Sequence, residues 1–294
     1  MNVIDIKALT KEYGKSRGIT NVNLEVNQGE IYGFIGPNGA GKSTTIKLLL
    51  NLIYPTSGSA KILNLDTVTE SSQIKKLIGY VPSEVRYYGA LTGEELMKST
   101  LGFHHSKNVA MIDTLCQKLD IDKKKRIGEL SLGNKKKIAI ACAIIHEPKL
   151  IILDEPTSGL DPLIQKKLFE LLKEQNAKGA TIFISSHNLN EVEEHCTKVA
   201  FIKEGKILKT LDLNCNSPHS KIITITGSNL EKSVFLQNDF TILSQENNLI
   251  KLSFKGATQS LLDILVTQSI TDLTIQNLSL EDEFLTYYEG VKAE

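Results

Sequence analysis

Residues 36–44 read Gly36-Pro37-Asn38-Gly39-Ala40-Gly41-Lys42-Ser43-Thr44, a glycine followed at fixed spacing by Gly-Lys-Ser-Thr. These residue types at this spacing suit one task, the holding of a polyphosphate. Gly36, Gly39 and Gly41 let the backbone close around an anion where a Cβ would obstruct it. The loop N–H groups, from Asn38 to Thr44, and the N-terminus of a following helix then face the negative charge. Lys42 reaches the terminal phosphates, and the Ser43 hydroxyl takes a magnesium ion. A second group of chemically capable residues ends an apolar run, Ile151-Ile152-Leu153-Asp154-Glu155. Two carboxylates directly after a core strand are costly unless a cation compensates them. Asp154 can share the magnesium ion with Ser43, and Glu155 can polarise an attacking water.

Positioning such groups requires strands that end at them. Ile31–Ile35 is an apolar run with the look of a buried strand, and Thr45–Leu50 reads as the helix after the loop. Strands are expected at residues 3–9, 20–26 and 59–65, with turn chemistry at Tyr13-Gly14-Lys15 and Asn27-Gln28-Gly29. From Gly93 to Leu119 the spacing of Leu96, Met111, Ile112, Leu115 and Leu119 predicts helix. Leu150–Leu153 and Thr181–Ser185 are continuous apolar runs of the kind a doubly covered parallel sheet contains. Leu163–Leu172 reads as an amphipathic helix between them, and residues 199–208 as a hairpin around Lys203-Glu204. The character changes near Leu213, where Asn214-Cys215-Asn216-Ser217-Pro218 forms a turn-rich link. The pattern beyond it predicts strand 221–226, helix 229–237, strands 239–244 and 248–254, helix 258–268, strand 270–276 and a last helix over 279–289. That βαββαβ order is ferredoxin-like. The expected organisation is therefore an α/β domain over residues 1–213 and a small α+β domain over 220–294.

The 294 residues are 41% apolar and 23% charged, ordinary for a globular protein. Thirty-four basic residues balance thirty-four acidic ones, which disfavours a polyanion such as nucleic acid as the main partner. No tryptophan is present, and aromatic and basic residues do not interleave as a base-stacking platform requires. Lys123-Lys124-Lys125-Arg126 and Lys135-Lys136-Lys137 read as solvated helix faces. Cys116, Cys142, Cys196 and Cys215 lie far apart without a C-x-x-C pair, as expected of free thiols in a reducing cytosol. Met1–Ile6 has no signal-peptide pattern, and the apolar stretch Ile138–Ile145 falls far short of the about 20 residues a bilayer span takes. A soluble chain is expected, held at any membrane by another subunit.

Read together, these motifs resemble the nucleotide-binding subunit of an ABC transporter. Tyr13 stands where that family stacks an aromatic ring on adenine. Leu130-Ser131-Leu132-Gly133-Asn134 occupies the place of the LSGGQ signature. Asp154-Glu155-Pro156-Thr157 is followed by Ser158-Gly159-Leu160-Asp161, the D-loop, and Ser185-Ser186-His187 ends on the family's switch histidine. The resemblance spans residues 3 to about 210 and implies a P-loop NTPase with a RecA-like core, an antiparallel β subdomain and a helical subdomain. It implies ATP and Mg²⁺ as ligands and hydrolysis with Lys42, Glu155 and His187 in the catalytic centre. It also implies a homodimer in which Ser131 and Gly133 of one chain close over the phosphates held by the other, and a His187 that donates to the terminal phosphate and links it to Glu155 and Asp161. A separate transmembrane permease would dock near residues 83–105, placing the chain at the cytoplasmic face of the membrane. There the Tyr87-Tyr88 pair and the Leu91, Leu96 and Met97 face suit either a short partner helix or the core of the chain's own helical subdomain. Asn277–Leu285 resembles the ending of drug- and peptide-exporter ATPases, and Leu132 within the signature is similar to those of the bacitracin and lantibiotic resistance type.

Two positions depart from the family pattern. Ser83 stands where a glutamine normally touches magnesium and the attacking water, and serine is too short to reach both directly. Leu132 and Asn134 replace a glycine and a glutamine of the signature, while Ser131 and Gly133 are kept. The resulting expectation is an ATPase that powers an exporter of peptides, toxins or drugs. The alternatives are an importer ATPase, a nucleic-acid or translation-associated ATPase, and an ATP-gated switch with little hydrolysis. One P-loop and no room for a coiled-coil insertion between Thr44 and Leu130 weigh against the nucleic-acid class.

Overall fold

The computed structural model describes residues 1–14, 16–213, 221–227, 235, 240–246, 248–254, 256, 258–277 and 280. The chain divides into two compact units, Met1–Leu213 and Asn214–Glu294.

The first unit is built on a six-stranded sheet. Its strands are β3 (Ile31–Ile35), β6 (Ile78–Val81), β7 (Leu150–Asp154), β8 (Thr181–Ser186), β9 (Lys198–Lys203) and β10 (Lys206–Asp212), in the order β10-β9-β3-β8-β7-β6. All neighbours are parallel except the β9–β10 hairpin. Every residue of β3, β7 and β8 is buried, which explains their unbroken apolar runs. Tyr32 and Phe34 pack on Phe183 with ring centroids 5.9 and 5.4 Å apart, which ties β3 to β8. A second, antiparallel sheet orders β1 (Asn2–Tyr13), β2 (Ser16–Asn27), β4 (Ser57–Ile62) and β5 (Leu65–Asp66) as β2-β1-β4-β5. The strand expected over 59–65 breaks at Leu63 and Asn64, both left-handed, which turn the chain from β4 into β5.

The helices are α1 (Lys42–Leu49), α2 (Ser71–Leu77), α3 (Gly93–Phe103), α4 (Ala110–Leu119), α5 (Leu132–Ile144), α6 (Pro162–Ala177) and α7 (Leu189–His195). Helix α2 carries too few apolar residues to show a period, with Ile74 its buried member. The single helix expected from Gly93 to Leu119 is two, because His105 adopts φ +53° and the polar stretch after it turns the chain. Local chemistry sets the starts. Thr92 and Glu95 form a reciprocal capping box on α3, Ser131 caps α5, and Asp161 with Pro162 starts α6. No helix among the described residues is long and apolar enough to cross a membrane. Cys116, Cys142 and Cys196 are free and buried, and Cys215 lies outside the described residues.

The second unit contains β11 (Lys221–Gly227), β12 (Phe240–Glu246), β13 (Leu249–Phe254), α8 (Thr258–Leu265) and β14 (Ile270–Asn277). The strands order as β12-β13-β11-β14, all neighbours antiparallel. One antiparallel strand thus separates β11 from β12, and another separates β13 from β14, as in a ferredoxin-like sheet. Ile223, Ile225, Leu252, Phe254 and Leu261 form its core with Phe235, which is helical and buried. The rest of the helix expected at 229–237, and nearly all of the one at 279–289, lie outside the described residues.

Candidate functional site

The carboxyl ends of β3, β8 and β7 lie side by side, so the loops leaving them converge. Ligands of parallel α/β sheets gather at such strand ends. A cleft of about 210 Å³ opens there, lined by Asn38 to Thr44, Gly18 and Glu155. Gly41 takes φ +114°, and a Cβ on it would stand 2.7 Å from the Ile19 side chain, so only glycine fits. Lys42 is 4% exposed. Its ammonium donates to the carbonyls of Gly36 (2.6 Å) and Pro37 (3.2 Å) and pairs with Glu155 Oε1 at 3.1 Å.

Glu155 sits at φ +49°, a conformation that costs a non-glycine residue roughly 1 kcal/mol or more. Its backbone N–H donates to the Ser185 carbonyl and to Ser185 Oγ, each at 3.1 Å. The Ser185 hydroxyl donates in turn to Asp154 Oδ1 at 2.6 Å. Asp154 is buried, and this hydroxyl holds one of its oxygens. His187 Nδ1 lies 3.1 Å from Glu155 Oε2, so the carboxylate stands between Lys42 and His187. Sequence reasoning did not single out Gly18 or the Ser185 hydroxyl. Gly18 precedes the loop by many residues, and Ser185 reaches Asp154 only through the β7–β8 pairing.

The other expected site residues stand apart from this cleft. Tyr13 ends β1 at the hairpin tip, 41% exposed, with the Lys11 ammonium 5.4 Å from its ring centroid. Ser131 accepts from Asn134 N–H at 3.3 Å as the cap of α5. Gly133 packs so closely on the D-loop that a Cβ there would meet the Gly159 carbonyl at 2.8 Å. Asp161 caps α6 through Ile164 N–H at 3.0 Å, so among these residues it is Glu155 that His187 meets. The cap of α7 is Asn188, not His187. Ser83 is exposed, and its carbonyl accepts from the Lys136 ammonium at 2.9 Å.

That contact corrects one expectation. Lys136 and Lys137 are 1% and 8% exposed, so Lys135-Lys136-Lys137 is not a solvated face. Helix α5 lies in the interior of the unit, and aliphatic stems with satisfied ammonium tips let lysines occupy buried positions. The residues near 83–105 divide between the two readings. Met97 is fully buried in the core, whereas Tyr88 is 85% exposed.

A second cleft of about 280 Å³ lies between the end of α1, β6, α3 and α5. The rings of His104 and His146 stack there, centroids 3.5 Å apart at 11°. His146 Nε2 is 3.1 Å from the Ile78 carbonyl. Burial, reinforced by His104, lowers the His146 pKa from 6.5 to about 4. His146 is therefore neutral in the folded state while the unfolded chain still binds its proton. This stability is complete above pH 6.5 and is lost as pH falls toward 4. Melting temperature measured across that window should fall more steeply for the native chain than for His146→Gln.

The fold and the cleft between the phosphate loop and Glu155 define a P-loop ATPase, with a phosphate-binding loop and a carboxylate held beside it. Residues 19–158 match the ABC transporter family. The chain is 36% identical over 304 residues to the bacitracin transport ATP-binding protein BcrA of Bacillus licheniformis, covering 98% of each. It is 39% identical to the lantibiotic transport ATP-binding protein SrtF of Streptococcus pyogenes, over 70% of this chain and 89% of that one. A solved dimeric ATP-binding cassette, in a post-hydrolysis state with ADP and phosphate, matches with TM-score 0.67 and 25% identity. It covers 72% of this chain and 99% of that one. The chain belongs to the ABC transporter ATPases, and is an ATP-binding and ATP-hydrolysing subunit that powers transport.

Proposed function

We propose that residues 1–213 form the ATPase of an exporter of antimicrobial peptides or drugs, and that residues 220–294 are an accessory domain. The observation that carries the catalytic assignment is Glu155, whose carboxylate is held 3.1 Å from both Lys42 and His187 at the mouth of the phosphate loop. Glu155 accepts the proton of the attacking water, Lys42 neutralises phosphate charge, and His187 orients Glu155 and donates to the terminal phosphate. Ser43 lines the cleft and Asp154 is buried behind it, an oxygen-donor pair that suits magnesium carried in with the phosphates. Magnesium supplies charge stabilisation on the transferred phosphoryl group. Tyr13 stacks on the adenine. Ser83 offers no side chain long enough to span metal and water.

Ser131 and Gly133 cap the nucleotide of a second copy, which makes the working unit a two-fold dimer. The dimeric cassette similar to this chain supports that arrangement. A separate membrane permease docks near residues 83–105 and holds the subunit at the cytoplasmic face. The exposed Phe103 ring, packed edge-on to His104, and exposed Leu52, which lines the His104–His146 cleft, supply apolar surface for one of its short helices. Peptide or drug export is the reading favoured by the names of the relatives, bacitracin and lantibiotic transport proteins.

The test is ATP turnover of the purified full chain at several concentrations, alone and with its co-expressed permease. Turnover per chain should rise with concentration until the dimer saturates, and the permease should stimulate it further. Turnover per chain that is independent of concentration over about a hundredfold range would exclude the shared site.

A further inference from the structure

Among buried ionisable groups, Lys136 has no part in the chemistry described above, yet it sits against it. Its side chain rises from the second turn of α5 and is 1% exposed. The ammonium donates to three main-chain carbonyls: Pro82 at 3.2 Å, Ser83 at 2.9 Å and Glu155 at 3.0 Å. An ammonium has three N–H donors and no acceptor, so the three carbonyls match its capacity. A neutral amine would turn a lone pair toward one of them. Burial pulls the Lys136 pKa below the ordinary lysine range, and the nearby charges of Asp154 and Glu155 oppose that pull.

The three acceptors belong to different parts of the molecule. Pro82 and Ser83 begin the segment that leaves β6 for the helical region. Glu155 is the residue in the strained left-handed conformation, φ +49°. The lysine itself follows Ser131 and Gly133 on the same helix. Ser185 holds Glu155 from its N–H side, and Lys136 holds it from its carbonyl side. These two grips fix the peptide planes that flank the Glu155 Cα, and so aim its carboxylate at the cleft.

We propose that Lys136 is a positioning residue for hydrolysis, fixing the Glu155 backbone and locking it to the Ser83 segment and the signature helix. The Ser83 side chain is short, and the link between that segment and the hydrolytic centre is made here through its carbonyl. The inference rests on the assignment of Glu155 as the catalytic carboxylate. Displacing a reacting group by about 1 Å costs on the order of a hundredfold in rate, without weakening contacts made elsewhere on the nucleotide.

The experiment compares Lys136→Met, Lys137→Met and Glu155→Gln in the full chain, reading kcat, KM for ATP and melting temperature. Lys137 is the control: it is also buried in α5, and its ammonium reaches the Asp120 carbonyl at 3.3 Å, away from Glu155. Lys136→Met should lower kcat at least about tenfold with KM within about twofold, and Lys137→Met should alter melting temperature alone. Equal losses of kcat in the two lysine variants would mean a general packing role and would overturn the proposal. Should Lys136→Met not bind ATP, Lys136→Gln, which keeps two donors, is read in the same way. A loss confined to kcat supports the proposal, and a normal kcat overturns it. If Glu155→Gln is inactive while Lys136→Met turns over normally, the inference about Lys136 fails alone. If Glu155→Gln keeps full turnover, the assignment of Glu155 fails, and this inference fails with it.

Discussion

Glu155→Gln is expected to abolish ATP turnover and leave ATP binding in place. The substitution keeps the size of the side chain and one oxygen to face His187, but removes the carboxylate charge assigned to take a proton from water. General-base catalysis is worth about 10²–10⁴-fold, and kcat should fall by at least that range. Binding should not weaken. Glu155 Oε1 lies 3.1 Å from the Lys42 ammonium, so the carboxylate competes with an incoming phosphate for that cation. A neutral amide releases Lys42, and ATP should bind as tightly as before or more so. Rapid-quench single turnovers beside a titration with a fluorescent ATP analogue separate the two effects. A kcat within about twofold of the native value would remove Glu155 from the catalytic role.

Lys42→Ala should fail earlier, at binding. The ammonium is 4% exposed, and two of its partners are carbonyls of the loop it must organise, Gly36 and Pro37. Truncating a buried cation that pairs with a bound anion costs about 2–5 kcal/mol of binding, so ATP affinity should fall roughly 10²–10³-fold. The variant also strands Glu155 without its cation, so melting temperature should drop. Adding Glu155→Gln to Lys42→Ala should restore much of that stability, because no unpaired charge remains, and should restore none of the affinity. ATP binding by Lys42→Ala at native strength would show that the cleft does not hold the phosphates.

The phosphate loop was legible because its determinants are contiguous. Gly41 must adopt φ +114° beside Ile19, and only glycine can, so the requirement appears in the string itself. The central strands were legible because burial on both faces leaves no polar position. The four strands after Leu213 and the helix before the last of them were legible from their periods, and the sheet order β12-β13-β11-β14 is the one ferredoxin-like units adopt. Boundaries were less well marked. The break between α3 and α4 depends on a single left-handed residue, His105, which no period announces.

The meeting of Glu155 with His187 was anticipated through family resemblance alone, since residues that far apart in the chain have no local signal. The Lys135-Lys136-Lys137 run shows the limit most clearly. By residue type it reads as a solvated face, and two of its lysines are buried. Sequence by itself determined the fold class, the phosphate loop and the family, because each is encoded by local steric or hydrophobic demands or by ordered motifs. Tertiary structure alone decided that Ser185 binds Asp154, that His104 stacks on His146, and that Lys136 grips the Glu155 carbonyl. Each is a pairing of polar groups from distant segments, and a buried polar group takes whichever partner the packing brings within reach.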